Sequence, residues 1–125
     1  MGALVRASGN VRVVELKGEI TMGRHLGRPL DLQGRPVDDL RGIIDDLLRQ
    51  GHPRIVLDLS GVKFIDSAGL GELIAARRRA VEQGGDMVLI HPRGHVKDLL
   101  VMTLLTDVFR ICENEAEALA SFPAR

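Results

Sequence analysis

The sequence predicts an α/β fold in which neighbouring strands are parallel. Two observations lead to this prediction. Short runs of β-branched or closely spaced apolar residues alternate with longer segments whose apolar residues recur at helical spacing. Glycine and proline stand at most of the boundaries between them. Repeated strand–helix alternation favours parallel pairing through right-handed crossovers, and 125 residues fit a single domain over 1–125.

The first strand is predicted over Val11–Ile20, ending near Gly18, because apolar residues alternate there and most are β-branched. Residues 22–36 combine glycines and prolines with arginines, which predicts a loop that is long for a compact domain. From 37 to 48 the apolar residues fall on one helical face. Gly51 is suited to end that helix.

The second half of the chain repeats the alternation. A dense apolar run at 54–59 predicts a strand covered on both faces, and Gly61 is expected to turn the chain after it. A helix follows from Ser67 to the glycine pair at 84–85. The remaining predicted elements are a strand at 87–90, a helix at 96–104, a strand at 108–112, and a helix at 115–121 that begins with a capping-box pattern, Asn114 and Glu117.

Composition argues against several classes of function. Basic and acidic residues each number 17, so no net charge attracts the chain to nucleic acid or anionic lipid. Three phenylalanines are the only aromatic residues, too few to stack single-stranded bases. No signal peptide and no membrane-length apolar stretch is found, so we expect a cytoplasmic protein. The single cysteine, Cys112, is interpreted as a small buried hydrophobe.

The segment 64–71, Phe-Ile-Asp-Ser-Ala-Gly-Leu-Gly, begins the second helix. Asp66 is predicted to be its N-cap, with Ile65 and Leu70 at the positions of a hydrophobic staple. Ser67 is then the first helical residue, exposed at the rim of the sheet. Gly69 and Gly71 leave the first turn without bulky side chains, so another molecule could approach closely. From pattern alone, an ordinary helix cap is the preferred interpretation.

A phosphate on Ser67 would meet the free N–H groups and the positive end of the helix dipole. The fold should therefore tolerate phosphorylation. Its effect should fall on whatever docks at this rim, through roughly two added negative charges beside Asp66.

The runs 54–62 (RIVLDLSGV) and 64–71 (FIDSAGLG) closely resemble the central motif of STAS domains of the anti-sigma factor antagonist family. The similarity extends over nearly the whole chain, from the first strand to Phe109. It implies a STAS-like single domain with a small mixed, mostly parallel β-sheet flanked by about four helices. It also implies a regulatory protein without catalysis, cofactor or metal.

In this family, the serine at the position of Ser67 is phosphorylated by a serine kinase that is also the anti-sigma factor. The unmodified antagonist binds that kinase and so releases a sigma factor. A metal-dependent serine phosphatase reverses the modification. The composition predicts no direct partner in nucleic acid or membrane, and the sequence leaves a homodimer open. The residues that it places at the partner surface are Asp66, Ser67, Ala68, Gly69, Leu70, Gly18, Glu19 and Thr21.

Two features depart from the family pattern. Thr21 stands where an acidic residue is common, and the loop 22–36 is long. The role of that loop stays open, and so does modification of Thr21, which is more simply a loop threonine. The alternative function is a STAS scaffold module of a signalling complex or transporter assembly that is not regulated by phosphate.

Other chemistry is weakly supported by the sequence. His91 and His95 have the spacing of metal ligands on one helix, but Pro92 and Gly94 lie between them, so surface loop histidines are the better interpretation. No glycine precedes Ser67 as a nucleophile elbow requires, and no P-loop is present. The basic cluster 77–79 is interpreted as a solvated helix face, with a partner interface as the alternative.

Overall fold

The computed structural model describes residues 2–20, 40–103 and 108–123. Five strands and four helices lie within these ranges. In chain order they are β1 (Gly2–Ser8), β2 (Val11–Ile20), α1 (Leu40–Arg49), β3 (Arg54–Ile65), α2 (Ser67–Glu82), β4 (Asp86–Ile90), α3 (Gly94–Met102), β5 (Ile111–Cys112) and α4 (Glu115–Ala120).

The strands form one sheet in the order β1-β2-β3-β4-β5. The first pair is antiparallel and the other three pairs are parallel. This confirms the predicted fold class, a mixed, mostly parallel sheet accompanied by helices. In the parallel part, the carboxyl ends of β2 and β3 lie at one edge of the sheet, and α2 begins there.

Alternate residues of β3 point to the two faces of the sheet. Leu57 belongs to the larger core, together with Ile44 of α1 and Leu73 of α2. Val56 belongs to a smaller core on the other face, together with Ala118 of α4. Burying one such aliphatic side chain stabilises the fold by roughly 1.5–3 kcal/mol. Both faces of β3 are therefore covered over residues 54–59, as the dense apolar sequence of that segment predicts.

Strand β1 was not among the predicted elements. It pairs with β2 in register from Gly2 opposite Lys17 to Ser8 opposite Val11. Leu4 and Val5 are both exposed, although they point to opposite faces. An edge strand with two exposed faces shows no alternation of apolar and polar residues, and this explains why the sequence does not reveal it.

The predicted turn at Gly61 is wrong, because β3 continues through it to Ile65. Gly61 is paired with Lys17, beside a register irregularity in β2. A Cβ atom at this position would stand 2.7 Å from the carbonyl oxygen of Leu16. The glycine therefore permits close approach of two paired strands rather than a change of direction.

Three other predicted boundaries are shifted. Helix α3 begins at Gly94, two residues before the predicted start, and its predicted end at 104 lies outside the described residues. The last strand contains Ile111 and Cys112, whereas Val108 and Phe109 precede it. Phe109 is nevertheless buried in the larger core. Helix α4 ends at Ala120, and Ser121 is its C-cap.

The prediction for Cys112 is confirmed. The side chain is buried in the smaller core, and the thiol is free. Burial is the main cause that raises its pKa, because an apolar environment disfavours the thiolate. The residue is thus a packing residue with little nucleophilic character.

Candidate functional site

Helix α2 begins with the cap that the sequence predicts. Asp66 has extended backbone angles, and its side chain accepts a hydrogen bond from the Gly69 amide at 2.6 Å. Ile65 before the cap and Leu70 after it are both buried. Asp66 thereby satisfies one of the helix's unpaired amides, and the two apolar residues fix the angle at which the chain enters the helix.

Ser67 is the first residue of α2, and its side chain is exposed. Within the described parts of the chain, its hydroxyl group makes no hydrogen bond. The amides of Ser67 and Ala68 come before the first turn closes at Leu70. The serine therefore presents a free hydroxyl beside free N–H groups at the positive end of a helix dipole.

The end of β2 lies directly beside this turn. The Asp66 amide donates to the Ile20 carbonyl at 3.2 Å. In the paired strands, Ile20 stands opposite Ile65 and Glu19 stands opposite Phe64. The structure thus brings the predicted strand-end residues Gly18 and Glu19 to the same edge of the sheet as Ser67.

The two glycines of the first turn have different roles, and the close-approach interpretation is wrong for one of them. A Cβ atom at Gly69 would stand 2.2 Å from the Ile20 carbonyl oxygen, so the protein's own β2 occupies that space. A Cβ atom at Gly71 would meet nothing within 4 Å. Gly69 is required for packing of α2 against β2, whereas Gly71 leaves open surface.

Two side chains at this edge are not predicted by the sequence analysis. The rings of Phe64 and His95 are stacked, with centroids 5.0 Å apart and planes 5° from parallel. His95 also places Nε2 3.4 Å from the Ile65 carbonyl. Phe64 is 41 % exposed. The only sign of this aromatic surface in the sequence is a phenylalanine three positions before Ser67.

The predicted partner residues divide by exposure. Ser67, Ala68 and Glu19 are exposed, and Asp66 and Gly18 are partly exposed. Gly69 and Leu70 are buried, so they support the surface from below and do not form it. Thr21 and the loop 22–36 lie outside the described residues. We use the term Ser67 rim for the exposed set of Glu19, Phe64, Ser67, Ala68 and His95.

The two histidines predicted to be surface loop residues are separated by the start of α3. His91 follows β4 with a positive φ of 58°, while His95 is in the first turn of the helix. The loop assignment is therefore wrong for His95, because α3 begins at Gly94. In the described ranges, no group of three or more His, Cys, Asp or Glu residues could hold a metal ion.

The basic cluster on α2 is largely engaged within the protein. Arg77 donates to Asp86 at 3.0 Å, and Arg79 places Nε 3.0 Å from a carboxylate oxygen of Asp45. Arg78 between them is exposed. Two of the three arginines therefore join α2 to β4 and α1, and the third belongs to the solvated face.

Comparison with known proteins identifies the family. The STAS domain model matches residues 31–118, most of the chain. The chain belongs to the STAS domain family. It is also 31 % identical over 90 residues to the anti-sigma F factor antagonist of Paenibacillus polymyxa, an alignment that covers 71 % of this chain and 77 % of that protein. This STAS protein is thus a member of the anti-sigma factor antagonist family.

Solved structures agree with the fold. An anti-sigma factor antagonist from Mycobacterium paratuberculosis superposes with a TM-score of 0.72 at 24 % identity, covering 96 % of this chain and 92 % of that one. The Bacillus cell fate determinant SpoIIAA in its phosphorylated form superposes with a TM-score of 0.64 at 20 % identity. The superposition covers 95 % of this chain and 97 % of that one. These likenesses show the fold, which is that of the STAS domain.

Across the described residues, no helix combines the length and apolar character that crossing a membrane would require.

Proposed function

We propose that this protein is an anti-sigma factor antagonist whose docking is switched by phosphorylation of Ser67. The observation that carries the proposal is the exposed Ser67 hydroxyl at the first residue of α2, free of hydrogen bonds within the described chain. A kinase can reach such a hydroxyl without local unfolding. The name of the Paenibacillus polymyxa relative supplies the class of partner, an anti-sigma factor.

The unmodified Ser67 rim is suited to docking by another protein. Phe64 and His95 provide a flat stacked surface, and Ser67 and Ala68 present small side chains beside it. Glu19 adds a negative charge at the end of β2. Aromatic side chains at the centre of a small polar patch are typical anchors of protein interfaces.

Phosphorylation would change this surface without disturbing the fold. The phosphate would lie near the amides of Ser67 and Ala68, where the helix dipole stabilises negative charge. It would also add roughly two charges next to Asp66 and close to Glu19. A partner that fits the neutral serine would then face a concentrated negative charge, so its affinity falls while the stability of the antagonist is retained.

The resemblance to the anti-sigma factor antagonist family implies the roles of the other proteins. The anti-sigma factor is the serine kinase that modifies Ser67, and a metal-dependent serine phosphatase restores the unmodified form. The antagonist contributes no catalysis. In support, no histidine or carboxylate among the described residues forms a hydrogen bond with Ser67, as the general base of a nucleophilic serine would.

Mapping of the phosphosite tests this proposal. The protein would be incubated with ATP and the anti-sigma factor kinase encoded by the same organism, and the product analysed by peptide mass spectrometry. We expect one phosphate, on Ser67, and no labelling of Ser67→Ala. Ser60→Ala is the matched control, because Ser60 is an exposed serine of β3.

Labelling of Ser60 in place of Ser67 would contradict the assignment. A protein purified from its native host and never phosphorylated would favour the scaffold function instead.

A further inference from the structure

We propose that the protein has a second site, a cleft on the opposite edge of the sheet that binds a phosphate-type oxyanion through Arg54 and Arg110. The cleft has a volume of about 230 Å³ and lies between the amino ends of β3 and β4 and the end of α4. One water needs about 10–15 Å³ of such space, so a phosphate group can be accommodated. This inference does not depend on the function proposed for Ser67.

Arg54 is the central residue of the cleft. It is the only charged residue that is buried among those described, with 7 % of its surface exposed. Its guanidinium donates to the Pro123 carbonyl at 2.8 Å, and no carboxylate of the described residues forms an ion pair with it. An arginine has five N–H donors, and buried arginines are normally paired. The other four N–H groups of Arg54 make no hydrogen bond to the described residues.

Arg110 adds a second positive charge at the mouth of the cleft. It is exposed and donates to the Ser121 carbonyl at 2.9 Å. Both arginines thus hold backbone carbonyls of the segment that follows α4. The two bonds fix the guanidinium groups around the cleft while leaving most of their donors unused.

Among the described residues that line the cleft, Asp86 is the only carboxylate, and its ion pair is with Arg77. Asp86 is the neighbour of Arg54 across the β3–β4 pair. Its Oδ1 atom already accepts from Arg77 at 3.0 Å and from the Met87 amide at 2.7 Å. Within the described ranges, the guanidinium groups of Arg54 and Arg110 therefore form no ion pair with a carboxylate.

This arrangement selects the chemistry of the ligand. Guanidinium groups present paired donors that match the oxygen atoms of phosphate in two-bond geometry. A phosphate dianion offsets two positive charges, whereas a simple carboxylate offsets one. The ligand is therefore a free phosphate ion or the phosphate group of a small phosphoester.

A titration of the ¹⁵N-labelled protein with inorganic phosphate, at constant ionic strength, tests the proposal by NMR. We expect saturable shifts of the amides of Gly84, Gly85 and Arg110, and none at Ser67. Acetate should cause no saturable shift. A parallel titration with adenosine monophosphate separates the two sources: tighter binding than phosphate indicates a phosphoester, and equal binding indicates the free ion.

Two variants complete the test. Arg110→Gln should weaken phosphate binding by at least about tenfold, because a charge-assisted pair is lost. Arg93→Gln is the matched control, since Arg93 is an exposed arginine at the start of α3, and should bind as the wild type does. Unsaturable shifts in the wild type, or equal phosphate affinity in Arg110→Gln, would overturn the proposal.

Discussion

At the scale of single residues, neighbouring positions at the start of α2 have different roles, some structural and some at the exposed surface. The Asp66 side chain is committed to the Gly69 amide, whereas the Ser67 hydroxyl faces solvent. The Ile20 carbonyl leaves no space for a side chain at Gly69, whereas Gly71 faces open space. Because structural and exposed positions lie within the same turn, single substitutions can separate stability from docking.

Replacing the N-cap Asp66 should reduce stability when the hydrogen bond from the Gly69 amide is lost. Asp66→Ala removes the acceptor for the Gly69 amide, so we expect a loss of about 1 kcal/mol in the free energy of unfolding. Asp66→Asn keeps an acceptor oxygen and should lose much less. Urea denaturation of the three proteins measures the difference, and equal loss in both variants would show that the cap is not the cause.

The two glycines should respond in opposite directions to the same change. Gly69→Ala places a methyl group against the Ile20 carbonyl, and we expect it to cost about 1–3 kcal/mol of stability through overpacking. Gly71→Ala adds a methyl group in open space on an α-helix and should gain up to about 1 kcal/mol. Thermal and urea denaturation would detect both effects. Similar stability of the two variants would refute the close approach of α2 and β2.

At the scale of secondary-structure elements, a polar contact joins the edge strand to the last helix. Arg6 of β1 donates to both carboxylate oxygens of Glu115 in α4 and also lies near Glu15 of β2. The hydrogen bond from Arg6 lowers the pKa of Glu115. Since the groups are partly exposed, we expect a modest contribution that salt reduces.

This contact predicts a pH dependence of stability. The pKa of Glu115 is lower in the folded protein than in the unfolded chain, so the contribution is present above the unfolded value of about 4.3 and is lost as pH falls through the folded value. Glu115→Gln should lower Tm at pH 7, with a difference that narrows as pH falls below about 4. Glu113→Gln, at an exposed residue before α4, is the control. A Tm difference independent of pH would contradict the account.

The elements differ in how far the sequence predicts them. The helix faces and the strands of the core are predictable, because burial of Leu57 or Ile44 imposes a period that the sequence displays. Strand β1 is not predictable from the sequence, since an exposed edge strand has no such period. Phe64 and His95 are 31 positions apart, and their stacking depends on how the end of β3 meets the start of α3. The Ser67 segment was predictable because its cap and staple are local.

At the scale of the whole molecule, the two edges of the parallel sheet have different surfaces. The carboxyl edge carries the Ser67 rim, where β2 and β3 end and α2 begins. The amino edge carries the arginine cleft beside the end of α4. We propose that each edge binds its own partner, a protein at one and an oxyanion at the other.

A negative charge at position 67 should not reduce the thermal stability of the fold. The side chain is exposed at the positive end of a helix dipole, so Ser67→Asp should retain the Tm of the wild type or exceed it slightly. Differential scanning calorimetry measures this directly. A marked fall in Tm would mean that a phosphate acts by disturbing the fold and not by blocking a surface.

The most direct test of the central claim is the Kd of the anti-sigma factor kinase for this protein with and without phosphate on Ser67, measured by isothermal titration calorimetry. We predict that the phosphorylated protein and Ser67→Asp bind at least about 30-fold more weakly, because an unpaired charge buried in an interface costs about 2 kcal/mol or more. Ser60→Asp, which adds the same charge on β3 and outside the Ser67 rim, should bind as the unmodified protein does. Equal affinity of the phosphorylated and unmodified proteins would contradict the account.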